Sequence, residues 1–145
     1  MSYWDTSALM PIFVDEATST AMHATFQQDP EPSTSWITIV ECWSTLARLV
    51  REGRVTAVGA EQARAVIASY SRAMREVEMT QALRVLAGRL LQTHPLRAGD
   101  ALHLAAALVW AEGQPEGRAF VCLDQRLRLA AQIEGFRVLP VSLEP

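Results

Sequence analysis

The chain has 145 residues, half of them hydrophobic, so it is long enough to bury a core without disulfide bonds or a structural metal. Its formal net charge is -3, with 13 basic and 16 acidic side chains, which excludes a large and uniformly basic surface for nucleic acids. The longest apolar run, residues 101–111, is too short to cross a bilayer, and no secretory leader pattern opens the chain. We therefore expect a cytoplasmic protein without a membrane partner.

Apolar periodicity and turn residues predict strands that alternate with helices. In chain order, the sequence predicts a strand at 2–4, one or two helices within 7–28, a turn at 29–32, a strand at 34–37, helices at 39–52, 59–74, 80–92 and 98–112, a strand at 119–123, a helix at 125–134 and a strand at 136–140. The helices at 59–74 and 80–92 are expected to form a hairpin, joined by a short piece around 77–79 that could be extended. The helix at 98–112 is apolar nearly all round, so we expect it to be buried against the sheet.

The alternation of strands and helices predicts the fold class. Parallel strands are joined by helices, and those helices cover both faces of the sheet. The sequence therefore predicts an α/β protein of three layers, α/β/α, with a central and mainly parallel sheet of four to five strands. One domain over residues 1–145 is expected, because no linker or repeat divides the chain.

Four acidic side chains stand where predicted helices begin. Asp5 follows the first strand, Glu41 lies in the first turn of the helix after the second strand, Asp100 opens the apolar helix, and Asp124 follows the strand at 119–123. Each could simply cap a helix, because Asp is a preferred N-cap residue and residues 38–41 have the Thr-x-x-Glu spacing of a capping box. Taken one at a time, these carboxylates favour capping.

Taken together, the same four carboxylates favour a metal site. In an open parallel sheet the carboxyl ends of the strands share one edge, where ligands bind, so the four side chains are expected to converge there. Like charges that meet repel one another, and they are tolerated chiefly when a cation lies among them. A set of oxygen ligands favours Mg²⁺, or Mn²⁺, over zinc. Such a metal can polarise a phosphodiester and generate hydroxide from water.

Four short segments carry a resemblance to a known family. They are residues 3–9 (YWDTSAL), 39–41 (IVE), 96–105 (LRAGDALHLA) and 120–124 (FVCLD). In order and spacing they resemble the successive motifs of PIN-domain ribonucleases, and within that family most closely the VapC-type toxins of toxin–antitoxin pairs. The resemblance extends from residue 3 to about residue 139, and Asp-Ala-Leu-His-Leu-Ala is its most specific piece.

The resemblance implies a PIN-like nuclease domain that hydrolyses RNA with Mg²⁺ and leaves 5′-phosphate and 3′-hydroxyl ends. By position it assigns the catalytic, metal-binding acids to Asp5, Glu41, Asp100 and Asp124. It assigns a supporting hydroxyl near the first aspartate to Thr6 or Ser7. It also implies a homodimer and a small cognate antitoxin that occludes the acidic groove.

Other residues near these motifs bear on the chemistry. Arg97 and Arg126 flank two of the acids and are the expected contacts for substrate phosphates. His103 follows Asp100 by one helical turn, and in so apolar a helix we expect a hydrogen-bonded structural histidine rather than a catalytic one. Cys122 stands where the family often has Thr or Ser, and a thiol is a weaker hydrogen-bond partner, so occupancy of a second metal site is open.

Three other functions are compatible with parts of this pattern. A housekeeping RNA-processing nuclease keeps the same chemistry, and a small DNA-binding protein encoded immediately upstream would favour the toxin. A phospho-receiver domain also has an acidic Mg²⁺ pocket, but it needs a lysine, and all 13 basic side chains here are arginines. A catalytically silent interaction module with the same fold is disfavoured by the four acids but stays open because of Cys122.

Overall fold

The computed structural model describes residues 1–143. The strands in this range are β1 (Ser2–Trp4), β2 (Pro32–Ser35), β3 (Arg75–Val77), β4 (Ala119–Val121) and β5 (Arg137–Leu139). The helices are α1 (Thr6–Phe13), α2 (Ser19–Gln27), α3 (Thr38–Arg51), α4 (Ala57–Ala73), α5 (Gln81–Thr93), α6 (Ala98–Trp110) and α7 (Gln125–Glu134). Among these helices, none has the length and apolar character that crossing a membrane requires.

The five strands form one sheet in the order β3-β2-β1-β4-β5, and every neighbouring pair is parallel. The predicted α/β fold with a mainly parallel sheet is therefore confirmed. Strand β1 lies at the centre, with β2 on one side and β4 on the other. Because the strand order reverses direction at β1, a crevice is expected beyond its carboxyl end.

Alternate side chains of the central strands enter two separate cores. Tyr3 and Phe120 pack with α5, α6 and α7 on one face, while Trp4 and Val121 pack with α1, α3 and α4 on the other. This alternation follows from the two-residue period of a strand. Alanines dominate the buried side of α6, which lets that helix approach the sheet closely. The prediction of a buried helix at this position is confirmed.

The predicted hairpin of the helices at 59–74 and 80–92 is wrong. Strand β3 lies between α4 and α5 and pairs with β2, so the two helices cover opposite faces of the sheet. The signal for β3 was weak because it is a three-residue edge strand with an exposed Arg75 and a half-buried Glu76. The second strand also begins two residues earlier than predicted, at Pro32, where a proline is tolerated because it opens the strand.

Candidate active site

Three of the four candidate carboxylates do cap helices. Asp5 is the N-cap of α1 and accepts a hydrogen bond from Ser7 N at 3.0 Å. Asp124 is the N-cap of α7 and accepts from Leu127 N at 2.9 Å. In the first turn of α6, Asp100 accepts from Arg97 N at 3.4 Å. Capping holds each of these carboxylates at the carboxyl edge of the sheet, so capping and ligand binding are not exclusive roles.

Glu41 does not cap its helix, and the predicted capping box is wrong. The N-cap of α3 is Ile37, and the Thr38 hydroxyl is instead 2.7 Å from that of Thr34 on β2. The Glu41 side chain turns toward α1 and α6, where its Oε1 accepts from Thr6 Oγ1 at 2.7 Å and lies 2.5 Å from His103 Nε2. Its other oxygen, Oε2, faces the beginning of α6.

His103 connects the candidate ligands of α1 and α3. The ring is 2% exposed, with Nδ1 3.0 Å from the Tyr3 hydroxyl and 3.5 Å from Asp5 Oδ1. A buried, hydrogen-bonded histidine was expected at this position, but contacts with Asp5 and Glu41 were not. One feature of the sequence could have indicated that His103 lies near the other acids. His103 follows Asp100 by three residues, so both side chains lie on one face of α6.

The charges of Glu41 and His103 stabilise each other. Burial alone would raise the pKa of the Glu41 carboxyl, but hydrogen bonding and charge from His103, with the Thr6 hydrogen bond, hold it below its usual value. Burial alone would lower the pKa of His103, but the nearby Asp5, Glu41 and Asp100 raise it above its usual value. The Glu41 carboxyl is therefore ionised at neutral pH.

Asp100 and Asp124 face a pocket of about 350 Å³ that opens to solvent, and Arg97, Gln125 and Arg126 complete its lining. Burial, and then the negative charges of Asp124 and Asp5, raise the pKa of the Asp100 carboxyl. Within residues 1–143, neither Asp100 nor Asp124 forms an ion pair. The pocket thus brings together both predicted phosphate-binding arginines and two carboxylates that repel each other.

Supporting side chains connect the end of β4 to the site. Ser7 Oγ lies 2.5 Å from Asp5 Oδ2, and the Cys122 thiol lies 3.5 Å from the same oxygen. Burial raises the pKa of the Cys122 thiol, so it stays protonated. The buried Arg128 donates to the carbonyls of Cys122 and Pro140, each at 2.8 Å, and so fixes the segment that carries Asp124. The role of Arg128 was missed, because an arginine on a helix gives no sequence signal of burial.

The donor set fits a hard divalent cation, although the carboxylates are not gathered into a compact cage. Among the described residues, no group of three or more His, Cys, Asp or Glu side chains is arranged to hold a metal ion. The carboxylates instead form two pairs: Asp5 and Glu41 around His103, and Asp100 and Asp124 at the pocket. Their all-oxygen chemistry and the raised pKa of Asp100 suit Mg²⁺ or Mn²⁺.

Comparison with known proteins identifies the family. The PIN domain model matches residues 2–140. Ribonuclease VapC45 of Mycobacterium tuberculosis (strain CDC 1551 / Oshkosh) and ribonuclease VapC49 of the same species (strain ATCC 25618 / H37Rv) are each 32% identical over 143 residues, 99% of this chain and 97% of each relative. A toxin–antitoxin complex from Klebsiella pneumoniae contains a chain of the same fold, with a TM-score of 0.61, 16% identity, and coverage of 87% of this chain and 88% of that one. The chain therefore belongs to the PIN-domain family, and within it to the relatives of the VapC ribonucleases.

Proposed function

We propose that this protein is an endoribonuclease toxin of the VapC type, which hydrolyses RNA phosphodiester bonds with Mg²⁺ or Mn²⁺ and is neutralised by a cognate antitoxin. The observation that carries the proposal is the pocket in which Asp100 and Asp124 meet two arginines beside the buried Asp5. Similarity to VapC ribonucleases over 99% of the chain supports RNA as the substrate.

The residues that would hold the cation are Asp5, Glu41, Asp100 and Asp124. When bound, a divalent cation supplies polarisation of the scissile phosphodiester and lowers the pKa of a water molecule. Ser7 and the N-terminal turn of α1 orient Asp5, while Thr6 and His103 orient Glu41. These contacts fix both carboxylates before a substrate arrives, which is the preorganisation that electrostatic catalysis needs.

Arg97 and Arg126 would bind the RNA backbone. Both line the pocket, and neither forms an ion pair within residues 1–143, so their guanidinium groups are available for phosphate oxygens. Attack by water on the phosphorus breaks the bond to O3′, which leaves a 3′-hydroxyl and a 5′-phosphate. Both arginines would stabilise the negative charge that develops on the phosphoryl oxygens.

The antitoxin would neutralise the toxin through the same pocket. An arginine or lysine from an antitoxin segment can pair with Asp100 and Asp124, which have no ion-pair partner in the described chain. Such a segment blocks RNA and replaces the cation at once. The toxin–antitoxin complex that contains a chain of the same fold supports an antitoxin as the partner.

We assign the homodimer contact to an apolar face outside the acidic pocket, between α3 and α4. Trp36, Val40 and Trp43 are 56%, 47% and 42% exposed, and they line a groove of about 530 Å³ between α3 and α4. Contiguous exposed apolar side chains mark protein-binding surfaces. Light scattering should give a dimer for the wild type and a monomer for Trp43→Glu. The control is Val58→Glu, which places the same charge at an exposed apolar residue outside this groove and should remain a dimer.

The decisive experiment is cleavage of total RNA by purified protein with Mg²⁺, with Mn²⁺ and with EDTA. We expect cleavage only with a cation, and products with 5′-phosphates. Asp100→Asn should abolish it, whereas Asp15→Asn, at an exposed site just beyond the far end of α1, should not. Activity that survives EDTA would rule out the metal mechanism. No cleavage under any condition would favour the silent interaction module, and cleavage without toxicity in cells would favour RNA processing.

A further inference from the structure

The two oxygens of the Glu41 carboxylate have different surroundings. Oε1 is engaged by two donors, the Thr6 hydroxyl at 2.7 Å and His103 Nε2 at 2.5 Å. Oε2 lies against Gly99, since a Cβ built at that glycine would be 3.3 Å from it, and Asp100 is the next residue. One oxygen is therefore held by the protein, and the other lies beside Gly99 at the beginning of α6, one residue before Asp100.

A chain of buried contacts fixes the donor on His103. An ionised carboxylate oxygen can only accept, so Nε2 must carry a hydrogen whether the ring is neutral or charged. Nδ1 is 3.0 Å from the hydroxyl of Tyr3, which is fully buried in the central strand and stacked on Phe120. Because Tyr3 belongs to the sheet, it fixes the orientation of the imidazole, and through it that of Glu41.

We propose that His103 is a positioning residue, held by Tyr3, which clamps Glu41 Oε1 so that Oε2 is presented to the divalent cation. The proposal rests on the proposed metal-dependent function. In this arrangement His103 touches neither the cation nor the RNA. Groups that orient the ligands of a metal commonly change its affinity about 10- to 100-fold when they are removed.

The test measures Mn²⁺ binding by calorimetry for variants of this chain of contacts. His103→Leu removes the donor and should weaken Mn²⁺ binding by at least about 10-fold. His103→Gln keeps an amide N–H that can reach Glu41 and should restore part of the loss. Tyr3→Phe keeps the stacked ring and should give a smaller loss. His94→Leu breaks another His–Glu contact, in which Nε2 lies 2.7 Å from Glu134 Oε1, and should leave Mn²⁺ binding unchanged.

A double-mutant cycle separates positioning from a general loss of structure. In a Glu41→Gln background, His103→Leu should cause little further loss, because its effect passes through Glu41. An equal loss in both backgrounds would overturn the proposal. In RNA cleavage, kcat should fall while KM changes little, since Arg97 and Arg126 lie outside this chain of contacts.

A measurement without metal distinguishes this proposal from the proposed function. In the metal-free protein, NMR of the imidazoles should show a slowly exchanging hydrogen on His103 Nε2 that is lost in Glu41→Ala. If that signal is present but the protein binds no cation, the metal function fails and the clamp remains only as structure. If cations bind equally well to the wild type and to His103→Leu, or if the Nε2 hydrogen is absent, the positioning role is wrong.

Discussion

Ser7 and Leu123 join the start of α1 to the end of β4, since Leu123 N donates to Ser7 Oγ at 2.9 Å. The same hydroxyl lies 2.5 Å from Asp5 Oδ2, so one small side chain bridges two of the segments that carry candidate ligands. Ser7→Ala leaves the Leu123 amide without its partner, which should lower the free energy of unfolding by about 1–3 kcal/mol. Urea denaturation and RNA cleavage should both reveal the loss, and Ser44→Ala, exposed on α3, is the matched control.

Asp100→Asn should make the metal-free protein more stable at neutral pH. The Asp100 pKa is raised by folding, so ionisation destabilises the folded state, and the loss appears as the pH rises through the raised value. In EDTA, the wild type and the variant should therefore have similar stability below pH 3.8, the ordinary pKa of an aspartate. Above that pH the variant should become more stable than the wild type. Asn keeps most of the capping ability of Asp. Thermal unfolding against pH measures this, and a variant that is less stable at pH 7 would contradict it.

Adding Mg²⁺ should reverse that order of stability. A cation that binds only the folded state raises the melting temperature of the wild type. Asp100→Asn and Asp124→Asn each remove the negative charge of a proposed ligand, so both should show a much smaller rise in melting temperature. Asp15→Asn makes the same change in net charge at an exposed site, so Mg²⁺ should raise its melting temperature as much as that of the wild type. Equal shifts in all four proteins would show that the pocket does not bind the cation.

Gly99→Ala should disturb the site, whereas Gly88→Ala should not. Both glycines lie within helices, where alanine is favoured by about 0.5–1 kcal/mol. Gly88 has nothing within 4 Å of an added Cβ, so that variant should be more stable and fully active. At Gly99 the methyl group would press on Glu41 Oε2, whose partner oxygen is already held. We expect weaker Mn²⁺ binding there, and unchanged binding would mean that Oε2 is not a ligand.

Cys122→Ser should strengthen the site. The thiol is 3.5 Å from Asp5 Oδ2, and a hydroxyl is a better donor to a carboxylate than a thiol. We expect tighter Mn²⁺ binding and faster RNA cleavage, whereas Cys122→Ala, which removes the contact, should weaken both. Calorimetry gives the number of bound ions per chain, which decides whether the serine restores a second site. A serine variant that behaves like the alanine variant would show that this contact has no role.

Local pattern was enough to predict most of the fold, because the strongest elements carry their own signals. The apolar α6, and α7 with its Gly135 stop, were predicted within a few residues. Strand β3 was anticipated only as a short piece around 77–79 that could be extended, because Arg75 and Glu76 give no apolar alternation and their conformation depends on pairing with β2. The conformation of β3 therefore depends on a tertiary contact, its pairing with β2, which the local sequence does not reveal. The hairpin prediction was wrong for the same reason.

The position of the candidate carboxylates in the fold was predictable, but their contacts were not. Asp5 and Asp124 could be placed at the sheet edge because Asp5 directly follows β1 and Asp124 lies three residues beyond the end of β4, where α7 begins. The partner of Glu41 could not be deduced, since Tyr3 and His103 meet across 100 positions of sequence and their contact depends on how α6 packs on the sheet. Local capping rules suggested Thr38 as the partner, whereas packing gave His103 and Thr6.

The pairing of β1 with β4 has a consequence for biosynthesis. Tyr3 is in register with Phe120, so the segments that carry Asp5 and Asp124 come together only after β4 has been made and has docked beside β1. Contacts so distant in sequence form late in folding, because a long loop must close first. During synthesis, a chain that ends before β4 would thus have no assembled candidate site, and the proposed ligands could act together only once β4 is in place.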